Sequence, residues 1–208
     1  MLWTFLLLNL LIMLCRTSAL AQDSTSAHDL VDVQRINPRI LVEMRYATTN
    51  NFMKKAIYKS ARCLLRRSVA ERLSRVQARL EQQGYGLKIY DAYRPLSAQW
   101  ELWKVVPNPT FVADPRKGSK HNRGSAVDLT LVDKNGNELE MPTEYDSFVA
   151  AARSDYMDLP EHVLRHRKIL HDAMKAEGFI PNPSEWWHFD DPDWRKFPIL
   201  DIDFDKIP

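Results

Sequence analysis

Residues 119–132 read Ser119-Lys120-His121-Asn122-Arg123-Gly124-Ser125-Ala126-Val127-Asp128-Leu129-Thr130-Leu131-Val132. The second half alternates strictly: Val127, Leu129 and Leu131 are apolar, and Ala126, Asp128 and Thr130 fall between them. A period of two is the mark of a strand with one face on a core, so Ala126 to Val132 is predicted as a strand. Asp128 is the charge on its other face. Gly124 permits a sharp turn between loop and strand. That turn can bring His121, seven residues before Asp128, near the strand. An imidazole from a loop and a carboxylate from a strand can then bind one ion from adjacent directions.

Working outward, Asn135-Gly136 is a hairpin signal directly after the strand. Leu65, Val69, Leu73, Val76 and Leu80 step by four or three, which predicts a helix over 64–83, stopped by Gly84. A short strand from Leu87 to Tyr90 runs into Asp91-Ala92-Tyr93-Arg94-Pro95, and a second helix covers Leu96 to Lys104. Leu30 to Tyr46 alternates loosely and reads as extended structure broken at Asn37-Pro38. A third helix is predicted over 160–177, with Asp158 as its cap, Pro160 in its first turn and Gly178 as its stop. This order gives an α+β fold: a single compact domain whose small, mainly antiparallel sheet packs with helices on one side.

Composition sets the outer limits. The chain has 208 residues, 45% apolar and 27% charged, which excludes a disordered, collagenous or coiled-coil protein. The length suits one domain and allows a sizeable core without metal or disulfide staples, so a metal site here points to function. With 29 Lys+Arg spread among 27 Asp+Glu, the net charge of +2 gives no electrostatic case for nucleic acid.

Leu2 to Cys15 is uncharged and almost wholly apolar. It is shorter than the ~20 residues of a membrane span. Ala19 and Ala21 follow as an A-x-A cleavage pattern. The expected division is a signal peptide at 1–21, a polar leader at 22–29 and the folded domain at 30–208. A lipid anchor on Cys15 and an uncleaved membrane anchor are alternatives, since no Lys or Arg precedes the apolar run. Cleavage leaves Cys63 as the sole thiol, read as a core residue that can form no internal disulfide. Export without disulfides suits a bacterial periplasm.

Far along the chain, Glu185-Trp186-Trp187-His188 forms an E-x-x-H pair. Two histidines and one carboxylate leave an open position on a tetrahedral zinc, and a further carboxylate can take a proton from water there. Positions three apart point to opposite faces of an ideal strand. Glu185 therefore has to lie in a turn before His188, or the strand has to bulge. Each piece also has a plainer reading. His121 can cap a loop, Asp128 can pair with Arg123, and the tryptophans can be core. Arg94 can hold a carboxylate or a developing oxyanion, or simply pair with Asp91.

Two other patterns carry less. His162 and His166 share a helix face, but Val163 stands where H-E-x-x-H has its glutamate. With Arg165, Arg167 and Lys168 interleaved, that face reads as solvated. Gly124-Ser125-Ala126 lacks the glycines of a nucleophile elbow.

Taken together, Ser119 to Leu131 resembles the S-x-H-x-x-G-x-A-x-D-L-T motif of the zinc D-alanyl-D-alanine dipeptidases, the VanX type. Glu185-Trp186-Trp187-His188-Phe189 is similar to their E-W-W-H-F, and Tyr90 to Pro95 to their Y-D-x-Y-R-P. Softer matches are Arg45 to Phe52 and Met141 to Phe148, where Pro142 and Tyr145 replace the usual Gly and Phe. The resemblance spans roughly 30–190. It implies a hedgehog/D,D-peptidase-like fold and one zinc ion per chain on His121, Asp128 and His188. It further implies Glu185 as general base, Arg94 as stabiliser of the tetrahedral intermediate, Ser119 at the substrate carboxylate and Asp146 at its ammonium. The expected partner is a small dipeptide from peptidoglycan chemistry, with no nucleic acid and no stable membrane insertion after signal cleavage. A D,D-carboxypeptidase or endopeptidase acting on cell-wall stem peptides, and a non-catalytic zinc module, are the rival expectations.

Overall fold

The computed structural model describes residues 29–207. The expected signal peptide and all but the last residue of the leader lie outside that range. β1 (Leu30–Asp32) pairs antiparallel with β3 (Leu64–Arg66) in a small two-stranded sheet. The main sheet has five strands in the order β2 (Leu41–Val42), β4 (Tyr85–Asp91), β5 (Ala126–Asp133), β7 (His188–Asp190) and β6 (Ile180–Pro181). Its β2–β4 pair is parallel, and every other pairing is antiparallel. The predicted α+β fold with a mainly antiparallel sheet is what the chain adopts.

The helices are α1 (Val33–Ile36), α2 (Arg67–Glu81), α3 (Leu96–Val105) and α4 (Glu161–Ala176). α2 packs on β4, and α4 packs on α2, β5 and β6. The stripe Val69, Leu73, Val76 and Leu80 is fully buried with Leu87, Ile89, Val127, Leu129 and Leu131. Burying each such aliphatic side chain contributes about 1.5–3 kcal/mol, so this layer holds the sheet against the helices.

Several expectations are corrected. Leu64 to Arg66 is a strand, not the first helical turn, because Leu30 to Asp32 offers it a ladder of backbone partners. Val33 to Ile36 turns helical where extended chain was expected; the Asp32 carboxylate caps it by accepting from Gln34 N. α4 starts at Glu161 with Pro160 before it, and Asp158 does not cap it. The Asn135-Gly136 turn forms, with Gly136 at φ 84°, but the returning chain makes only a bridge, Val132 to Glu138. Gly84 and Gly178 stop their helices in the left-handed region, at φ 80° and 86°. Cys63 is buried and free.

The polar face of β5 is buried as well: Ala126, Asp128 and Thr130 are at most 3% exposed. A bulge helps shape that side. Ile89 pairs with Leu129, yet Asp91 rather than Tyr90 pairs with Asp128. The extra residue re-aims the end of β4, setting Asp91 beside Asp128.

Candidate metal centre and its cleft

His121, Asp128 and His188 come together beneath the loops on this face, each offering one ligand atom within 4.8 Å of the others. Asp128 faces His188 directly across the β5–β7 ladder. Asp128 Oδ1 lies 2.9 Å from His188 Nδ1 and 3.4 Å from His121 Nε2, and the two ring nitrogens are 3.2 Å apart. His121 arrives from a single 3-10 turn, 121–123, which Gly124 ends at φ 66°. A side chain at Gly124 would strike Leu30 at 2.5 Å, so glycine is required there for both backbone and space.

The E-x-x-H difficulty is resolved by a turn. His188 begins β7, and its N–H donates to Glu185 O at 3.2 Å, folding the chain back over Trp186 and Trp187. Glu185 Oε2 thereby stands 3.7 Å from His188 Nδ1 and accepts from Asn182 Nδ2 at 3.0 Å. Burial pushes the Glu185 carboxyl up to about 7, His188 working against the rise and the Asp128 charge adding to it. At Asp128 burial also acts upward, but the neighbouring imidazoles, His121 first, hold the carboxyl well below the usual range.

A cleft of about 400 Å³ opens over the centre, and all seven predicted site residues line it: Arg94, Ser119, His121, Asp128, Asp146, Glu185 and His188. Arg94 makes the ion pair with Asp91 that its plainer sequence reading expected, while also lining the cleft. Its Nε and Nη2 bond Asp91 Oδ2 at 3.0 and 2.5 Å, and Nη1 bonds Gln99 Oε1 of α3 at 2.8 Å. A guanidinium has five N–H groups, so these three bonds do not exhaust it. Ser119 Oγ accepts from His121 N at 3.2 Å. Asp146 sits in the left-handed region at φ 61° and accepts from Tyr46 O–H at 3.0 Å. Burial, with Asp128 nearby, pushes its carboxyl well above the usual range.

Both tryptophans are buried, as the plainer reading had it. Trp187 nevertheless forms part of the cleft wall, while Trp186 packs behind it with its indole N–H on Thr143 Oγ1 at 3.0 Å. Asp128 does not pair with Arg123, whose guanidinium goes to the Phe197 carbonyl. His162 and His166 both contact Glu140, through its carboxylate at 2.8 Å and its carbonyl at 2.9 Å. Arg167, expected on a solvated face, is buried against the Arg153 carbonyl.

Outer contacts orient each member of the centre. His121 Nδ1 lies 2.7 Å from the Ala92 carbonyl, which turns Nε2 inward. The Tyr145 hydroxyl donates to Asp128 Oδ2 at 2.9 Å, so the residue that departs from the family's usual Phe contacts the centre directly. His188 Nε2 is 2.9 Å from Asp190 Oδ1. The sequence reading assigns none of these residues a contact with the centre. Asp190 carried a signal, since a residue two beyond His188 on a strand shares its face. Tyr145 and Ala92 reach the centre only through tertiary folding.

The donor set fits a divalent ion. Two imidazole nitrogens and one carboxylate oxygen suit zinc, and three protein ligands leave a position for water or substrate.

A family profile described as D-Ala-D-Ala dipeptidase matches residues 26–204. A D-alanyl-D-alanine dipeptidase of Escherichia coli is 40% identical over 172 residues, covering 83% of this chain and 89% of that one. One of Streptomyces coelicolor is 30% identical over 182 residues, covering 77% and 90%. A solved vancomycin-resistance D,D-pentapeptidase, VanY in complex with Zn(II), overlaps 64% of this chain and 75% of its own at a TM-score of 0.40 and 18% identity. The chain is a member of the D-Ala-D-Ala dipeptidase family of peptidases.

Proposed function

We propose that this protein is a zinc-dependent dipeptidase that hydrolyses D-alanyl-D-alanine to two molecules of D-alanine. The observation that carries the proposal is the convergence of His121, Asp128 and His188 beside the buried Glu185 carboxyl in one cleft. His121, Asp128 and His188 would hold the ion. When bound, zinc supplies Lewis acidity, acidifying water and drawing charge from a carbonyl oxygen.

The chain's own groups supply the rest. Glu185, with a carboxyl near 7, is suited to accept a proton from water and return it to the leaving amine. Arg94, braced by Asp91 and Gln99, presents its remaining N–H groups to the negative charge growing on the carbonyl oxygen. The substrate ammonium would draw the raised Asp146 carboxyl into its charged form and pair with it, and Ser119 would hold the carboxylate end. A free dipeptide has both charges close together, so one small cleft can satisfy both. An N-acylated peptide lacks the ammonium and leaves Asp146 without its partner, which is costly in a buried site.

We also propose that the protein is exported to a bacterial periplasm, on the strength of the apolar run from Leu2 to Cys15 and the Ala19/Ala21 pattern. There it would recover D-alanine released from the wall. N-terminal sequencing of the mature chain tests this: a start at Gln22 supports export by cleavage, and a start at Met1 contradicts it.

The activity is tested by stereoisomer-resolved dialanine hydrolysis on metal-analysed protein. We expect D-Ala-D-Ala to be cleaved, chelator to stop it, and zinc to restore it. Faster cleavage of N-acyl-D-Ala-D-Ala than of the free dipeptide would assign a carboxypeptidase instead. No hydrolysis by the zinc-loaded protein would leave a non-catalytic module.

A further inference from the structure

His188 has a buried acid on the side away from the cleft. Asp190 lies two residues along β7, on the same strand face, with its side chain 7% exposed. Its Oδ1 is 2.9 Å from His188 Nε2, and its Oδ2 is 2.5 Å from Lys120 Nζ. Lys120 immediately precedes His121. Its carbonyl accepts from Ser125 N and Ser125 Oγ at 3.2 and 3.1 Å, and Ser125 O accepts from Asp191 N at 2.8 Å. The Lys120–Asp190 ion pair therefore ties the loop that carries His121 to the strand that carries His188.

An imidazole that ligates through Nδ1 must carry its proton on Nε2. A carboxylate accepting that proton fixes the tautomer, sets the ring plane and makes Nδ1 more basic. A buried carboxylate in turn needs a countercharge, and Lys120 provides it. We infer that Asp190, held by Lys120, is a positioning residue for the metal centre, locking His188 with Nδ1 aimed at the ion shared with His121 Nε2 and Asp128. The inference rests on the metal reading given under the proposed function. The two histidines are thus held differently: His121 leans on the neutral Ala92 carbonyl, His188 on a charged carboxylate.

The test is zinc affinity, measured by competition with a chromophoric chelator on the folded chain. Asp190→Ala is expected to bind zinc about 10–100-fold more weakly than the parent. Lys120→Met should lose less, and should add nothing in the Asp190→Ala background, because it acts through Asp190. Nitrogen-15 NMR of the zinc-loaded protein should show His188 as the Nε2–H form in the parent, with that proton signal weakened or lost in Asp190→Ala. Circular dichroism checks folding. If Asp190→Ala does not fold, Asp190→Asn, of equal size, is read by the same titration and should bind several-fold more weakly.

Parent-like affinity in the folded Asp190 variant overturns the inference, as does a Lys120→Met loss that adds in full to that of Asp190→Ala. His121→Ala separates the two layers. If it binds zinc as tightly as the parent, the metal reading fails and the inference with it. If it binds weakly while Asp190→Ala binds like the parent, the inference alone fails.

Discussion

The two faces of β5 are buried alike and built from different sources. On one, Val127, Leu129 and Leu131 join the hydrophobic core that includes the aliphatic faces of α2 and α4. On the other, Asp128 meets His188 from a neighbouring strand, His121 from a preceding loop and Tyr145 from a distant one. The first face is held by non-directional burial and tolerates only apolar groups. The second is held by directed hydrogen bonds, each of which has to be met because the groups are out of water. The core face should govern stability, and the cleft face should govern zinc and turnover.

Substitutions should separate the two. The largest effect is expected from Glu185→Ala, which should lower kcat by about 10²–10⁴-fold while zinc remains stoichiometric by elemental analysis. Turnover near that of the parent would end the general-base assignment. Leu129→Ala on the opposite face should cost about 2–5 kcal/mol in urea unfolding, with zinc affinity little changed. A loss of zinc without a loss of stability would erase the division between the faces.

A pH series probes the core side further. His171 of α4 is buried with its ring edge-on to Phe189, and its Nε2–H donates to the Trp186 carbonyl at 3.0 Å. Burial lowers it from 6.5 to about 4. Below about 6.5 the unfolded chain takes up a proton that the folded chain refuses until about 4, so stability falls as pH falls through that window. The parent should lose about 3 kcal/mol more than His171→Leu between neutral pH and the bottom of the window. Equal losses would show that His171 is not held neutral. The smallest effect is expected from Tyr145→Phe, which removes one hydrogen bond to Asp128: about 1 kcal/mol, read as a several-fold weaker zinc affinity with unfolding nearly unchanged.

What could be read in advance follows the same division. The core face was legible because alternation and the helical stripe are local patterns: Val127, Leu129 and Leu131 were placed correctly, and Gly84 and Gly178 end their helices as expected. The residues of the candidate centre are legible as motifs, and the turn before His188 is one of the two ways out of the spacing problem. Alternation says of the polar face of β5 only that it points away from the core. Its complete burial depends on loops more than a dozen residues away, as in the Tyr145–Asp128 bond. The β4 bulge, which sets Asp91 beside Asp128 and so braces Arg94, leaves no mark in the pattern of Leu87 to Tyr90. Leu64 to Arg66 fitted the helical stripe, but pairing with Leu30 to Asp32 outweighed helix propensity.

The proposed convergence of three side chains on one ion is tested most directly by anomalous diffraction at the zinc edge from crystals of the zinc-loaded protein. A single strong peak is predicted about 2.0–2.2 Å from His121 Nε2, an Asp128 carboxylate oxygen and His188 Nδ1. A zinc peak bound elsewhere, with these three residues free of metal, would contradict it.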